Sequence, residues 1–209
     1  MRTVLVAGFG PFPGVARNPS ADLARALGRV RRPALAGVRI HAVVLPTVYE
    51  AVERELARLI SELDPDAILL FGVAGRSDRL RVETRAVNAA SRIHPDAARF
   101  VPKSRTLRQN APRELFVNAP ARRLLAAARS TGVAARLSRD AGRYVCNASL
   151  FLSLDMARKE KHPPSVTFIH IPPPAPRGAR RRKRKEPSMA VLVRAGAAIL
   201  AAVAAEARR

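Results

Sequence analysis

The sequence predicts a single-domain α/β protein, a three-layer α/β/α sandwich built on an open, mostly parallel, twisted sheet. Short apolar runs rich in β-branched residues recur along the chain, and stretches with helical periodicity separate most of them. Strands and helices that alternate in this way form a parallel sheet covered on both faces. A chain of 209 residues can build one sizeable core but is short for two full domains, so we expect residues 1–209 to form one domain.

The predicted elements follow one another along the chain. The strands are expected at Thr3–Ala7, Arg39–Leu45, Ala67–Phe71, Val133–Leu137 and Val166–Ile171. The helices between or after them are expected at Ala21–Val30, Val48–Leu63, Ala119–Ala128 and Asn147–Lys159. Thr47 should open the second of these helices, and Asp64 with Pro65 should end it.

The apolar, alanine-rich stretch Met189–Ala205 is interrupted by Arg194 and Gly196. It falls short of the roughly 20 strongly apolar residues that a membrane span needs. We therefore predict a terminal helix that packs against the rest of the chain, and we expect no membrane partner.

The formal net charge of +22 asks for an explanation, and six consecutive basic residues, Arg180–Lys185, supply part of it. We expect these residues to lie in a mobile basic loop over about 175–188. Such a charge surplus favours weak, salt-sensitive contact with nucleic acid or anionic surfaces. Aromatic residues are only 4% of the chain, tryptophan is absent, and no RNA-binding or zinc-finger motif is present. We therefore expect no specific nucleic-acid binding.

The chain has a single cysteine, Cys146, which excludes an intramolecular disulfide. The first apolar run, Val4–Ala7, is too short for the core of a signal peptide. Both features favour a cytoplasmic protein in a reducing compartment.

Cys146 lies in the stretch "SRDAGRYVCNASLFL", where a strand-like run gives way to a helical one. At the first turn of a helix, unpaired N–H groups and the positive end of the dipole lower the pKa of a thiol and favour a thiolate nucleophile. The alternative is a small buried apolar side chain, as most free cysteines are. This local sequence favours neither.

Two other side chains could assist a nucleophilic thiol. His170, near the end of a buried strand, is either a hydrogen-bonded core residue or the general base. Glu83 lies among Arg79, Arg81 and Arg85. It either forms solvated ion pairs with them or orients an imidazole.

The turn "GFGPFPG" follows the first strand and is a poor dinucleotide fingerprint, because its glycine spacing is off by one and Pro11 lies within it. We therefore expect no nicotinamide or flavin cofactor. Phe9 and Phe12 in this turn either pack the first helix onto the sheet or form an apolar slot for a flat, uncharged group. A metal site is not expected, because one cysteine and no His-x-His or Glu-x-x-His spacing leave too few clustered ligands.

Three motifs occur in order along the chain: "GFGPFPGVARNPS" at 8–20, "SRDAGRYVCN" at 138–147 and "FIHIPPP" at 168–174. Together they resemble the motifs of the pyroglutamyl peptidase I (pyrrolidone-carboxylate peptidase) family, and the resemblance runs nearly from end to end. Pro13 replaces a glycine of the family's first motif. The resemblance implies an α/β/α fold and a cytosolic cysteine peptidase that removes an N-terminal pyroglutamyl residue from peptides without a metal or cofactor.

By this resemblance Cys146 matches the nucleophile, His170 the general base and Glu83 the acid that orients the base. The match weakens around Glu83: Arg81 stands where the family usually has Ser or Thr, and Ser77 stands where an arginine is common. The resemblance also implies pyroglutamyl peptides as substrates and a possible homo-oligomer, a tetramer in many members.

The substrate that the resemblance implies is a flat lactam without a charged amine, so its pocket should be apolar with a few backbone hydrogen bonds. Phe9, Phe12 and Tyr144 are expected around the ring, and backbone groups near Val73 are expected to bind the lactam. The backbone N–H of Cys146, with Asn18, is expected to hold the oxyanion.

Two other functions stay open at this point. A family member that has lost catalysis would bind anionic partners through its basic loop, which the substitutions around Glu83 and the Arg180–Lys185 run favour. A cysteine amidohydrolase of altered specificity would cleave a related amide and spare pyroglutamate.

Overall fold

The computed structural model describes residues 1–175 and 186–206. Most of the predicted basic loop, including Arg180–Lys185, lies outside the described residues. The described part has six strands in one sheet and two in a small second sheet. The strands are β1 Arg2–Phe9, β2 Val38–Leu45, β3 Ala67–Val73, β4 Leu80–Glu83, β5 Arg85–Val87, β6 Glu114–Phe116, β7 Ala135–Ser138 and β8 Ser165–Ile171.

The large sheet has the strand order β2-β1-β3-β8-β4-β7. Every neighbouring pair is parallel except β4 and β8, which are antiparallel. The prediction of a mostly parallel sheet is therefore confirmed. The carboxyl ends of β1, β3 and β8 meet at one edge of the sheet, where ligands bind in open α/β folds.

Within the described ranges, five α-helices cover the sheet: α1 Pro19–Gly28, α2 Tyr49–Leu63, α3 Ala121–Arg129, α4 Val145–Ala157 and α5 Met189–Glu206. On one face, Leu27 of α1, Leu124 of α3 and Leu200 of α5 belong to a single buried apolar cluster. On the other face, Leu56 of α2 and Phe151 of α4 belong to a second cluster. Two apolar clusters separated by a sheet are the three-layer arrangement that the sequence predicts.

Helix α5 is long and apolar enough to cross a membrane by length and composition alone. In the structure it packs against α1 and α3. A side chain added at Gly196 would lie 3.1 Å from Leu27, so the glycine allows the two helices to approach closely. The prediction that this stretch packs against the rest of the chain is confirmed.

Helix boundaries differ from the prediction where a cap was misread. Helix α1 begins two residues early because the side chain of Asn18 accepts a hydrogen bond from the Ser20 N–H, which caps the helix. Thr47 does not open α2: its hydroxyl donates to the carbonyl of Gly10, and Val48 occupies the N-cap position without a side-chain bond. The helix does end at Leu63, followed by Asp64 in the left-handed conformation.

Strand β4 is the main element that the sequence did not predict. It is four residues long, and two alternate positions carry the charged Arg81 and Glu83. Short charged alternation is a weak strand signal. Because β4 runs antiparallel to β8, with Arg81 opposite His170, Glu83 lies two residues further from the functional edge and is fully buried.

Candidate active site

A cavity of about 1000 Å³ opens at the carboxyl edge of β1, β3 and β8. Except for Glu83, every predicted site residue lines it: Phe9, Phe12, Asn18, Val73, Tyr144, Cys146 and His170. Residues from distant parts of the chain meet there because the first strand, the start of α4 and the end of β8 share one edge of the sheet.

Cys146 is the second residue of α4, after Tyr144 at the N-cap position. Its thiol lies over Gly72 of β3: a Cβ built on Gly72 would approach the Cys146 Sγ to 2.9 Å. Real Cβ atoms essentially never come that close to another heavy atom, so only glycine at position 72 leaves room for the sulfur in this place.

Burial raises the pKa of the Cys146 thiol to about 12, and the negative charge of Glu83 adds to the rise. Arg81 and a backbone hydrogen bond at Cys146 act in the opposite direction. The lowering expected from the helix N-terminus is therefore outweighed by the loss of hydration, and the net pKa is raised. At neutral pH the resting side chain is a thiol.

His170 is 4% exposed, and its Nδ1 lies 2.8 Å from Oε1 of Glu83. Glu83 is fully buried, so the interpretation of Glu83 as a solvated ion pair is wrong. Two of the arginines that suggested it have other carboxylate partners: Arg79 pairs with Asp78, and Arg85 pairs with Glu114.

Arg81 also contacts this pair. Its Nε lies 3.3 Å from Oε1 of Glu83, and its Nη2 lies 3.3 Å from Nδ1 of His170. A single neutral Nδ1 cannot both donate to Glu83 and accept from Arg81. The carboxylate is 0.5 Å closer and negatively charged, so we assign the Nδ1 proton to the bond with Glu83. The Nε2 lone pair of His170 is then free to accept a proton.

Burial lowers the pKa of His170, and the neighbouring Arg81 lowers it further, while Glu83 raises it. The net direction is downward, so the imidazole is neutral at neutral pH. The free protein therefore holds a neutral thiol and a neutral imidazole in one cavity. A neutral thiol must lose its proton before or while its sulfur attacks a carbonyl.

Aromatic rings form one wall of the cavity. The ring centroids of Phe12 and Tyr144 are 5.7 Å apart, and Tyr49 meets Tyr144 edge-on. The Tyr144 hydroxyl donates to the carbonyl of Pro95, and burial raises its pKa to about 12, so the phenol stays neutral. Phe9 is almost fully buried and stacks on Phe168, so it supports the cavity floor as much as it lines it.

Asn18 lines the cavity, but much of its side chain is already engaged. Its oxygen accepts from the N–H and the hydroxyl of Ser20, and its nitrogen donates to the carbonyl of Gly10. These bonds fix the turn after β1, and only one side-chain N–H stays available for a ligand. Its predicted share in holding an oxyanion stays a prediction.

Two residues of the site were missed in the sequence. Gly72 lies opposite His170 in the register of β3 and β8, yet nothing local distinguishes it from a glycine that merely ends a strand. Asn147 accepts from the N–H of Val87 and donates to the carbonyls of Val87 and Ala89. Its place directly after Cys146 was the available signal.

No group of three or more metal-ligating side chains occurs within residues 1–175 and 186–206.

Comparison with known proteins gives consistent matches. A family model described as pyroglutamyl peptidase matches residues 2–209. A pyrrolidone-carboxylate peptidase of Chromobacterium violaceum is 35% identical over 172 residues, which are 82% of this chain and 78% of that protein. The corresponding protein of Thermococcus litoralis is 30% identical over 172 residues, which are 82% of this chain and 77% of that protein.

Solved structures match over nearly the whole fold. Pyrrolidone carboxyl peptidase from Thermococcus litoralis superposes with a TM-score of 0.89 at 25% identity, covering 100% of this chain and 97% of that one. Pyroglutamyl peptidase I from Bacillus amyloliquefaciens superposes with a TM-score of 0.86 at 26% identity, covering 98% of each chain.

Proposed function

The chain belongs to the pyroglutamyl peptidase family, and we propose that it hydrolyses the amide bond after an N-terminal L-pyroglutamyl residue of a peptide. The observation that carries this proposal is the contact between the buried Glu83 and His170 in the cavity that also holds Cys146. A thiol, a base and a group that orients the base are the parts that thiol-dependent acyl transfer needs.

The first chemical step forms a covalent bond to sulfur. Nε2 of His170 takes the proton of the Cys146 thiol while the sulfur attacks the pyroglutamyl carbonyl carbon. Glu83 stabilises the imidazolium that forms, because its carboxylate accepts a charge-assisted hydrogen bond from the Nδ1–H group. The backbone N–H of Cys146, at the first turn of α4, is placed to stabilise the oxyanion.

The second step breaks the peptide bond, and the third restores the protein. His170 gives its proton to the departing amine, the C–N bond breaks, and a thioester to Cys146 remains. His170 then takes a proton from water, whose oxygen attacks the thioester carbonyl. Free pyroglutamate leaves, and the sulfur regains its proton.

The cavity fits a flat, uncharged ring. The rings of Phe12 and Tyr144 offer apolar surface, and the end of β3 at Val73 offers backbone donors and acceptors for the lactam. A charged α-amine would lose hydration against these aromatic rings. We expect the pocket to select the lactam over a free N-terminal amino acid.

The retained contact between Glu83 and His170 speaks against a family member that has lost catalysis. A reducing, cytoplasmic location suits a mechanism that needs a free thiol. Pyroglutamyl peptides as substrates and a homo-oligomeric, tetrameric assembly are part of the same proposal.

The experiment is a comparison of two fluorogenic amides. L-Pyroglutamyl-amidomethylcoumarin and L-prolyl-amidomethylcoumarin differ in the lactam carbonyl and the charge of the ring nitrogen. At neutral pH under reducing conditions we expect turnover of the pyroglutamyl compound. We expect kcat/KM for the prolyl compound to be at least about 100-fold lower, because the charged proline amine loses free energy when it leaves water. Equal or reversed preference would support an amidohydrolase of altered specificity. Turnover of neither by the folded protein would refute the peptidase function.

A further inference from the structure

A second cavity of about 570 Å³ lies beside the active site and shares Ala74, Gly75, Arg76 and Arg81 with it. The remaining lining residues are Ser77, Asp78, Arg79 and Arg136. We call this cavity the arginine groove. Four arginines face one aspartate in it, and that aspartate already pairs with Arg79 at 3.0 Å.

Two arginines of the groove are available to bind an anionic ligand. Arg81 is partly balanced by Glu83, whereas Arg76 and Arg136 are exposed and form no ion pair with any described residue. A guanidinium binds a carboxylate through two parallel hydrogen bonds, which makes it the preferred side chain for this anion.

The position of the groove relative to the reacting atoms follows from the sheet register. Gly72 on β3 pairs with His170 on β8, His170 with Arg81 on β4, and Arg81 with Arg136 on β7. Residues paired in this way project on the same face of a sheet. The Cys146 thiol lies over Gly72, so thiol, imidazole, Arg81 and the arginine groove follow one another across one face.

This order assigns the groove to one side of the scissile bond. The aromatic wall around Phe12 and Tyr144 suits the pyroglutamyl ring, whereas His170 must reach the nitrogen of the departing amine. The part of the peptide beyond that nitrogen therefore extends past His170, toward Arg81 and Arg136.

We infer that the arginine groove binds a carboxylate on the residue that follows the pyroglutamyl group, so that the protein cleaves pyroglutamyl peptides with an acidic second residue fastest. The inference rests on the proposed peptidase function. The carboxylate can belong to the side chain of that residue or, in a dipeptide, to its C-terminus, and both sources present the same chemistry to the groove.

Three dipeptides test the inference: pyroglutamyl-glutamate amide, pyroglutamyl-glutamine amide and pyroglutamyl-glutamine with a free carboxylate. The first two are nearly isosteric and differ in one charge. We expect kcat/KM for the glutamate amide to exceed that for the glutamine amide about tenfold, since each exposed arginine–carboxylate pair contributes about two- to fivefold. Added NaCl should shrink the ratio.

For each variant we compare the ratio of kcat/KM for the glutamate amide to kcat/KM for the glutamine amide. A general change in activity affects both values equally and leaves this ratio unchanged. Arg136→Gln should lower the glutamate-to-glutamine ratio about threefold, and Arg76→Gln with Arg136→Gln should bring it close to one. Arg39→Gln is the matched control, because Arg39 is an exposed arginine on β2, at the opposite edge of the sheet. It should leave the ratio unchanged.

The outcomes separate this inference from the proposed function. Equal turnover of all three dipeptides, or a ratio that Arg39→Gln lowers as much as Arg136→Gln does, overturns the groove while the peptidase function stands. A preference only for the free C-terminal carboxylate upholds carboxylate binding by the groove, identifies the α-carboxylate as its ligand, and overturns the preference for an acidic second residue. No turnover of any pyroglutamyl compound overturns both.

Discussion

The two regions that build the active site differ in how closely they follow the family pattern. The start of α4, with Cys146, keeps a long motif intact, whereas the stretch around Glu83 departs from the motif at Ser77 and Arg81. Yet both regions deliver their side chains to the same place, with Glu83 2.8 Å from His170. The comparison teaches that β4 can supply one buried carboxylate at one register position although the partly exposed Arg81 departs from the motif, while Leu80 and Val82 stay in the core.

The two regions differ in how many groups of the site each of them positions. The start of α4 positions a sulfur, a backbone N–H and a tyrosine at once, so its sequence has little freedom. β4 places Glu83 through backbone pairing with β8 on one side and β7 on the other. Backbone pairing leaves the partly exposed position of Arg81 free to vary, whereas Leu80 and Val82 on the opposite face are buried in the apolar core.

The largest effect is expected from Glu83→Gln, which tests whether β4 serves catalysis as the start of α4 does. The amide removes the negative charge that stabilises the imidazolium and no longer selects the Nδ1 proton, so we expect kcat/KM to fall about 10³-fold or more. Because Glu83 raises the pKa of His170, the residual activity should persist to lower pH than in the wild type. A loss of less than threefold in a steady-state assay would show that β4 no longer serves catalysis.

Gly72→Ala tests the Cys146 side of the comparison. The added methyl would approach Sγ to 2.9 Å and a carbon of Phe168 to 2.7 Å, so the sulfur must move. A displacement near 1 Å costs about 100-fold in rate. We expect that loss in kcat/KM with the fold retained by circular dichroism. An unchanged kcat/KM would contradict the place of the sulfur over Gly72.

Asn147→Ala tests the connection between the two regions. Its side chain ties the start of α4 to the segment that follows β4, through three hydrogen bonds with Val87 and Ala89. Removing it takes away the partner of the part-buried Val87 N–H and one of the Ala89 carbonyl, which costs about 1–3 kcal/mol. The midpoint of thermal unfolding should fall by several degrees. An unchanged midpoint would mean that the two regions hold their positions independently.

The smallest expected effect comes from Arg81→Ser. In the proposed mechanism His170 must be neutral, and its pKa is lowered in the free protein. The acid limb of the pH profile of kcat/KM for the wild type should therefore lie below pH 6.5, the ordinary pKa of histidine. Arg81 contributes to that lowering, so its removal should move the limb to higher pH, opposite to the effect of Glu83→Gln. Arg39→Gln, with the same change of charge on β2, should leave the limb in place.

Much of the fold was predictable because buried parallel strands such as β1, β3 and β8 are apolar runs and the intervening helices have clear periodicity. Cys146, His170 and Glu83 were predictable as candidates because they stand in motifs. The contact of Arg81 with His170 and the place of Gly72 under the sulfur were not predictable, since both arise from register between distant strands. The raised pKa of Cys146 also escaped prediction, because it depends on burial that the local sequence does not reveal.

The most direct test of the central claim is to look for the acyl-enzyme itself. Wild type and Cys146→Ser would be mixed with L-pyroglutamyl-amidomethylcoumarin, quenched in acid within milliseconds, digested and analysed by mass spectrometry. We expect a pyroglutamyl thioester on the wild-type peptide that contains Cys146, and neither adduct nor coumarin release from Cys146→Ser. Coumarin release by Cys146→Ser at the wild-type rate would contradict the claim that this thiol is the nucleophile.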